Sequence, residues 1–271
     1  MIGPISVREI EVRGLRIAYQ RAGQGPPLVL LHGFISDGRS WRRQVDDLSR
    51  DFDVIAWDAP GCGRSSDVPE EFSMAEFAGC LAGLLDAIGV SAAHLTGLSW
   101  GGTMALEFYR QRPAAVLSLV LAGTYAGWTG SLGPEEAAGR LARCLAESRL
   151  PACEWVPQWV PEAFSGSAPR ALLDEYASIM SDFHAAGFRA MSRAFTPDFR
   201  DVLPLIKVPT LLLWGDDDKR SPLSAAEMMR DAIPGARLVI IRNAGHVSNL
   251  EQPERFNAEV REFCHTVKAA R

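Results

Sequence analysis

Short apolar runs alternate with segments of helical spacing through the first half of the chain. The three runs are PLVLLH (27–32), FDVIAWD (52–58) and AAHLTGL (92–98). Runs of this length are typical of strands buried on both faces, whereas Leu81, Leu84 and Leu85 fall on one helical face. The opening segment alternates in period two and turns around Arg13 and Gly14, which predicts an antiparallel hairpin at the sheet edge. The pattern predicts an α/β fold with crossover helices covering a mostly parallel sheet.

The alternation of strands and helices stops in the middle of the chain. It is interrupted at residues 124–203, which have helical patterning and many aromatic side chains, and it returns at residues 208–218 and 236–246. Both flanks carry the same pattern, as expected for a single domain with an insertion. We predict an α/β core made of residues 1–123 and 204–271, with residues 124–203 forming a helical cap.

The composition argues against several classes of protein. The chain has 271 residues, a formal net charge of -5 and no basic run, so nothing indicates nucleic-acid binding. It has no apolar run near the ~18 residues of a membrane span and no signal-peptide pattern at its start, so we expect a cytoplasmic protein. Five cysteines without a CxxC pair indicate free thiols. We expect a small-molecule partner, no nucleic-acid or membrane partner, and leave homo-oligomer formation open.

A serine stands where the third apolar run meets a helical stretch. Residues 97–101 read GLSWG, which fits the pattern G-x-S-x-G between a predicted strand and a predicted helix. In such a turn the serine is exposed as a nucleophile, and the flanking Gly97 and Gly101 leave room for the close approach of strand and helix. The alternative is an ordinary helix N-cap at Ser99, and the motif alone does not choose between the two.

A serine hydroxyl becomes a good nucleophile only when a base takes its proton and an acid orients that base. His246 follows the last predicted strand, at the sheet edge where catalytic groups of open α/β sheets collect. Asp216, Asp217 and Asp218 follow the preceding strand, and their alternative role is an acidic turn that caps the next helix. The chain order Ser99, Asp218, His246 is the one expected for a serine nucleophile on an α/β sheet and differs from the chymotrypsin and subtilisin orders.

Five motifs occur in order at the predicted element junctions. They are LLHGF (30–34), WDAPGCGRS (57–65), GLSWGG (97–102), WGDDDKRSP (214–222) and NAGHVSNLEQPE (243–254). In this respect the chain resembles the α/β-hydrolase superfamily, in the branch of small bacterial esterases and lactonases such as enol-lactonases. The resemblance covers nearly the whole chain outside the predicted cap. It implies an α/β-hydrolase fold, with a mostly parallel eight-stranded sheet flanked by helices and with an inserted helical cap.

The resemblance also implies a role for each matching residue. Ser99 corresponds to the nucleophile, His246 to the general base and Asp218 to the acid. The oxyanion hole of such enzymes uses two backbone N–H groups, which here belong to Phe34 and Trp100. The expected chemistry needs no cofactor and no metal.

The predicted cap is expected to contribute apolar walls to the substrate pocket, because ligand sites are mostly apolar with few polar groups. The candidate substrate-binding residues are Trp128, Trp155, Trp159 and Phe188. We therefore expect a serine hydrolase that cleaves carboxylic esters or lactones of small to medium apolar or aromatic substrates through an acyl-enzyme on Ser99. Two alternatives stay open: the same triad could serve C–C bond hydrolysis, perhydrolysis or cofactor-independent oxygenation, or the protein could be a small-molecule receptor with slow or no turnover.

Overall fold

The computed structural model describes residues 6–267. In this part of the chain the strands are β1 (Val7–Val12), β2 (Leu15–Ala22), β3 (Pro27–Leu31), β4 (Asp53–Trp57), β5 (Ala93–Leu98), β6 (Val116–Ala122), β7 (Thr210–Gly215) and β8 (Arg237–Ile241). These eight strands form one sheet in the order β1-β2-β4-β3-β5-β6-β7-β8. The β1–β2 and β2–β4 pairs are antiparallel, and the remaining pairs are parallel. The predicted edge hairpin and mostly parallel sheet are confirmed.

Eleven α-helices are found in residues 6–267. They are α1 (Arg42–Leu48), α2 (Met74–Ala87), α3 (Trp100–Gln111), α4 (Trp128–Leu132), α5 (Pro134–Glu147), α6 (Ala152–Ala163), α7 (Arg170–Ser181), α8 (Ala185–Phe195), α9 (Leu223–Ala232), α10 (Ser248–Glu251) and α11 (Pro253–Thr266). Short 3-10 helices occupy Gly38–Trp41, Pro113–Ala115 and Arg200–Leu205.

Five consecutive helices, α4 to α8, interrupt the alternation of strands and helices between β6 and β7; we call residues 128–195 the helical insertion. β6 and β7 nevertheless pair directly in parallel, with Val120 opposite Leu211. The sheet therefore continues across the insertion, as the sequence pattern predicts. The boundaries of the predicted cap at residues 124 and 203 stay a prediction.

The central strands are buried on both faces, which explains why their sequences are unbroken apolar runs. Every residue of β5 and β7 is buried, and β3 is buried from Leu28 to Leu31. Helices on both faces supply the cover; in α2, for example, Phe77, Leu81 and Leu84 are buried. A rigid sheet of this kind fixes the ends of its strands, and those ends carry the candidate site.

The cysteines match the expectation of free thiols. All five are unpaired, and only Cys153 is exposed. No helix within residues 6–267 is long and apolar enough to span a membrane.

Candidate active site

Ser99 is the single residue between the end of β5 at Leu98 and the start of α3 at Trp100. Its backbone has φ 53° and ψ -115°, in the positive-φ range that residues with a side chain rarely adopt. Its N–H donates to the carbonyl oxygen of Ala122 in β6 at 2.7 Å, which ties the turn to the sheet. Its side chain makes no capping hydrogen bond to α3. The alternative of an ordinary serine N-cap therefore does not describe this turn.

The two glycines around Ser99 are required by space. A Cβ on Gly97 would lie 2.5 Å from the carbonyl carbon of Gly101, and a Cβ on Gly101 would lie 2.2 Å from the carbonyl oxygen of Leu31. Both distances are far below van der Waals contact and involve backbone atoms that cannot move aside. The strand and the helix can approach this closely only because neither position carries a side chain.

His246 lies in the turn between β8 and α10 and meets Asp218 from the turn after β7. Its Nδ1 is 2.9 Å from Oδ2 and 3.2 Å from Oδ1 of the carboxylate. The side chains are only 7% and 2% exposed, so solvent screens this pair weakly. Asp218 Oδ1 also accepts hydrogen bonds from the backbone N–H groups of Arg220 at 2.9 Å and Ser221 at 2.8 Å. The carboxylate is thereby fixed in an orientation that holds the imidazole.

The neighbouring acids have other partners. Asp216 accepts from the N–H of Ala244 at 3.2 Å, and Asp217 accepts from the N–H of Gly166 at 3.1 Å. Among the three consecutive acids, Asp218 is the one that contacts His246. The structure therefore brings Asp218 to His246, and the role of Asp218 as the catalytic acid stays a prediction.

Gly123, at the end of β6, leaves space for this pair. Its φ is 51°, and a Cβ there would lie 3.0 Å from His246 Nδ1 and 3.3 Å from Asp218 Oδ2. A side chain at this position would press on the contact between the imidazole and the carboxylate. The need for a glycine at position 123 was not predicted from the sequence. The available signal is that Gly123, like Gly215, stands at the end of an apolar run.

The backbone N–H groups expected to form an oxyanion hole are available for a ligand. Trp100 is the first residue of α3, where N–H groups have no partner within the helix. Within residues 6–267, the N–H groups of Trp100 and Phe34 donate to no other residue. Phe34 lines the same cavity as Ser99. The tryptophan ring itself is buried in the core beneath the turn, against Phe77 with 4.9 Å between ring centroids.

His32 supports the loop that carries Phe34. Its Nε2 accepts a hydrogen bond from the N–H of Ala59 at 2.9 Å, so its proton is on Nδ1, which lies 2.8 Å from the carbonyl oxygen of Gly33. Burial lowers the pKa of His32 and favours this neutral form. The ring therefore joins two core loops through its two nitrogens.

Ser99 and His246 open into one cavity of about 150 Å³ between the sheet and the helical insertion. Most of its apolar wall is aromatic. The aromatic lining residues are Phe34, Tyr125, Trp128, Trp159, Tyr176 and Phe195. Within residues 6–267 the Ser99 hydroxyl donates no hydrogen bond to a protein acceptor, and it is free to meet a ligand in this cavity.

The structure places the four expected cap aromatics in two different layers. Trp128 and Trp159 line the cavity, and their contact with substrate stays a prediction. Trp155 and Phe188 do not; they pack against each other behind it, with ring centroids 5.3 Å apart. Both are almost fully buried. They occupy the space between α6 and α8 and support the cavity wall, so the structure does not bring them to the cavity, and their contact with substrate stays a prediction.

The charged residues of the cavity wall were not among the site residues predicted from the sequence. They are Arg140, Arg143, Glu162, Lys219 and Arg220. Two signals could have pointed to them. Arg140 and Arg143 are three residues apart in α5 and so share a helix face, and Lys219 and Arg220 directly follow the candidate acid in sequence.

No group of three or more His, Cys, Asp or Glu side chains within residues 6–267 is arranged to hold a metal ion. The groups that converge on the cavity are a hydroxyl, an imidazole oriented by a carboxylate, and two free N–H donors. Such an arrangement can deliver a serine oxygen to an acyl carbon and stabilise the charge that develops on the carbonyl oxygen.

Comparison with known proteins gives relatives over almost the full length. A model described as Alpha/beta hydrolase family matches residues 28–259. The 2-hydroxy-6-oxononadienedioate/2-hydroxy-6-oxononatrienedioate hydrolase of Burkholderia vietnamiensis is 32% identical over 265 residues, covering 92% of this chain and 91% of that protein.

Two solved structures are similar in fold and in sequence. A thermophilic esterase from Thermogutta terrifontis, solved with malate bound, has a TM-score of 0.89 and 29% identity, covering 97% of this chain and 100% of that one. The enol-lactonase from Burkholderia xenovorans LB400 has a TM-score of 0.87 and 25% identity, covering 95% and 100%.

Proposed function

Since the chain belongs to the alpha/beta hydrolase family, we propose that it is a serine hydrolase that cleaves carboxylic esters or lactones through an acyl-enzyme on Ser99. The named relatives are hydrolases, among them an esterase and an enol-lactonase. Because these relatives differ in substrate, family membership indicates the type of enzyme, and the substrate has to be inferred from the residues that line the cavity.

The first half of the reaction forms the acyl-enzyme. Ser99 Oγ attacks the acyl carbon of the substrate while His246 Nε2 takes the hydroxyl proton. Asp218 holds the imidazole through Nδ1 and stabilises the imidazolium that forms. The developing oxyanion accepts hydrogen bonds from the N–H groups of Phe34 and Trp100, each worth roughly 3 kcal/mol in the transition state.

The second half releases the acid. The imidazolium of His246 protonates the leaving alcohol, or the ring-opened alkoxide of a lactone, as the carbon–oxygen bond breaks. The neutral imidazole then takes a proton from water, whose oxygen attacks the acyl carbon and displaces Ser99 Oγ. The proton on His246 returns to the serine, so the enzyme ends in its starting state.

The cavity favours compact substrates with an apolar or aromatic part. Its volume of about 150 Å³ and its mostly aromatic walls suit a small acyl or alcohol group packed against Trp128 and Phe195. Because all five cysteines are free thiols, we also propose that the enzyme works in a reducing compartment such as the cytoplasm.

One observation carries the proposal. The base His246, oriented at 2.9 Å by a buried carboxylate, and a serine on a positive-φ turn line the same cavity. A serine used only for packing or for helix capping would need neither the oriented imidazole nor the strained turn.

The direct test is hydrolysis of p-nitrophenyl acetate and butyrate, followed by a panel of small lactones. We expect turnover by the wild type and a loss of at least about 10³-fold in kcat/KM for Ser99→Ala and for His246→Ala. Circular dichroism and thermal melting would show that the variants remain folded. Equal activity of wild type and Ser99→Ala would contradict the proposed mechanism.

A further inference from the structure

The cavity beside Ser99 is positively charged, although the protein has a formal net charge of -5. Four of its lining residues are cationic and, within residues 6–267, one is acidic. The cations are Arg140, Arg143, Lys219 and Arg220, and the acid is Glu162. Placing cations in a partly enclosed cavity costs solvation free energy unless anions compensate them. A lining cation that lacks such a compensating anion therefore favours an anionic ligand.

Three of the four cations already have an acid outside the cavity as a partner. The pairs are Arg140 with Glu136 at 2.9 Å, Arg143 with Glu147 at 2.9 Å and Lys219 with Asp217 at 3.4 Å. The positive charges of these three side chains are therefore largely compensated by the acids. The remaining cation is Arg220.

Arg220 is mostly buried and poorly partnered. Its side chain is 20% exposed, and one guanidinium nitrogen lies 3.6 Å from Glu162, beyond hydrogen-bond distance. Within residues 6–267 the guanidinium donates no hydrogen bond to the protein, so apart from the long ion pair with Glu162 its N–H donors are available to a ligand. Its central carbon lies 4.3 Å from the centroid of the Trp159 ring, a cation–π contact that holds the group against the cavity wall.

We propose that Arg220 binds a carboxylate of the substrate, so that the preferred substrates are esters or lactones that carry a free carboxylate in addition to the reactive carbonyl. The proposal rests on the serine hydrolase function proposed above. A guanidinium fork matches the two oxygens of a carboxylate, and such paired hydrogen bonds are stronger than neutral ones. Arg220 thereby acts as a specificity-determining residue.

The position of Arg220 in the chain links this anion site to the candidate triad. Its backbone N–H donates to Asp218 Oδ1 at 2.9 Å, so both residues belong to one hydrogen-bonded turn. A carboxylate bound by the Arg220 guanidinium then lies in the cavity that Ser99 also lines, at a position limited by the packing of that guanidinium on Trp159. We expect a sharp dependence of activity on the number of carbons between the carboxylate and the ester.

Glu162 lies near Arg220, and removing its charge is expected to have the opposite effect on carboxylate binding from removing the charge of Arg220. Its carboxylate is 46% exposed and lies near both Arg220, at 3.6 Å, and Arg143, at 3.9 Å. It is therefore a competitor for the same guanidinium and repels an incoming anion. Removing its charge with Glu162→Gln strengthens binding of a carboxylate substrate, whereas removing the charge of Arg220 weakens it.

The test compares substrates that differ only in charge. Monomethyl glutarate carries a free carboxylate, and its neutral counterpart carries a carboxamide in the same position; the succinate and adipate half-esters extend the series. Methanol release gives kcat and KM for each. We expect wild type to prefer the carboxylate of the best-fitting chain length by at least about tenfold in kcat/KM, mainly through KM.

The variants separate anion binding from a structural role. Arg220→Gln keeps the backbone N–H that holds Asp218, and we expect it to lose about 10- to 100-fold on the carboxylate ester and to change about twofold or less on the carboxamide. Arg220→Lys should recover part of the loss, and Glu162→Gln should lower KM for the carboxylate ester. Arg170→Gln is the matched control, because Arg170 is 86% exposed and pairs with Asp174 on α7 away from the cavity.

A binding measurement separates failure of this proposal from failure of the hydrolase proposal. Glutarate is titrated into Ser99→Ala and into Ser99→Ala/Arg220→Gln, and heat or tryptophan fluorescence is recorded, since Trp159 lies against Arg220. Saturable binding that requires Arg220 supports the anion site even if no ester is hydrolysed. Equal hydrolysis of both esters by wild type, or equal loss on both esters in Arg220→Gln, would overturn it.

Discussion

At the scale of single residues, the site depends on backbone conformations that are costly for an ordinary chain. A residue other than glycine at the φ of Ser99 carries strain of order 1–3 kcal/mol. The strained conformation is stabilised by the hydrogen bond from the Ser99 N–H to the carbonyl oxygen of Ala122 and by the close packing of Gly97 and Gly101 against neighbouring backbone atoms. The result is a hydroxyl that faces a cavity and does not cap the following helix.

The acid assignment can be tested with two neighbouring carboxylates. Asp218→Asn removes the charge that orients and stabilises His246, and we expect kcat to fall by roughly 10³- to 10⁴-fold. Asp216→Asn removes only an acceptor for the N–H of Ala244, and we expect less than about a tenfold loss. Steady-state kinetics of the two variants and wild type on one ester measures both losses of kcat. Comparable losses in the two variants would contradict the assignment of Asp218.

The residues proposed for catalysis could be picked out from the sequence because each lies within a few residues of the end of a strand of the parallel sheet. Ser99, Asp218 and His246 follow β5, β7 and β8, and parallel strands bring those ends to one edge. The role of Gly123 could not be predicted, since it follows from the distance to two side chains that are remote in sequence. The exposure and partners of Arg220 likewise follow from the packing of Trp159 against it.

At the scale of elements, the helical insertion and the sheet meet at the ring of Phe34. This ring lies 5.8 Å from Trp128, 5.3 Å from Phe188 and 6.2 Å from Phe195, measured between centroids. The same residue supplies a backbone N–H to the proposed oxyanion hole. Packing within the insertion therefore helps to fix the position of that N–H.

The two aromatic layers of the insertion predict different effects of matched substitutions. Trp128→Leu alters the cavity wall, and we expect KM for an aromatic ester to change by about 2- to 10-fold. Phe188→Leu alters the supporting layer, and we expect a loss of about 1–2 kcal/mol in the free energy of unfolding with KM within about twofold. Denaturant unfolding and ester kinetics on both proteins provide the measurement. A large KM change in Phe188→Leu without a loss of stability would contradict the layer assignment.

The strands were predictable and the faces of the insertion helices were not, for one physical reason. A strand that is an unbroken apolar run has to be buried on both faces. A helix with aromatic side chains on several faces can pack in several orientations, so its sequence does not show which side chain faces the cavity. Trp155 and Trp159 are four residues apart on α6 and share a helix face, yet only Trp159 lines the cavity. Trp155 instead packs on Phe183, with centroids 5.1 Å apart. Which residue reaches the cavity depends on how five helices pack together.

At the scale of the whole molecule, buried neutral histidines couple stability to pH. His94 lies within β5, 3% exposed, with Nδ1 2.7 Å from Ser118 Oγ. Burial, with a smaller contribution from His265, lowers the pKa of His94 from 6.5 to about 4. The unfolded chain therefore binds this proton at higher pH than the folded chain does. Stability from His94 is fully present above pH 6.5 and is lost as the pH falls from 6.5 toward 4.

This linkage predicts a measurable loss on mild acidification. Between pH 7 and pH 5, His94 alone lowers the free energy of unfolding by about 2 kcal/mol, and the lowered pKa of His32 acts in the same direction. Urea unfolding of wild type and His94→Gln at pH 7 and pH 5 measures this decrease in the free energy of unfolding. We expect the decrease to be smaller in the variant by about that amount. An identical decrease in both proteins would contradict the account.

Covalent labelling with a fluorophosphonate, read by intact mass and peptide mapping, tests most directly whether Ser99 is an activated nucleophile. We expect one adduct per folded wild-type molecule, located on Ser99, no adduct on Ser99→Ala, and none on heat-denatured wild type, since only the oriented His246 makes the hydroxyl reactive. A folded wild-type protein that takes up no label, or takes it up at another residue, would contradict the assignment of Ser99 as an activated nucleophile.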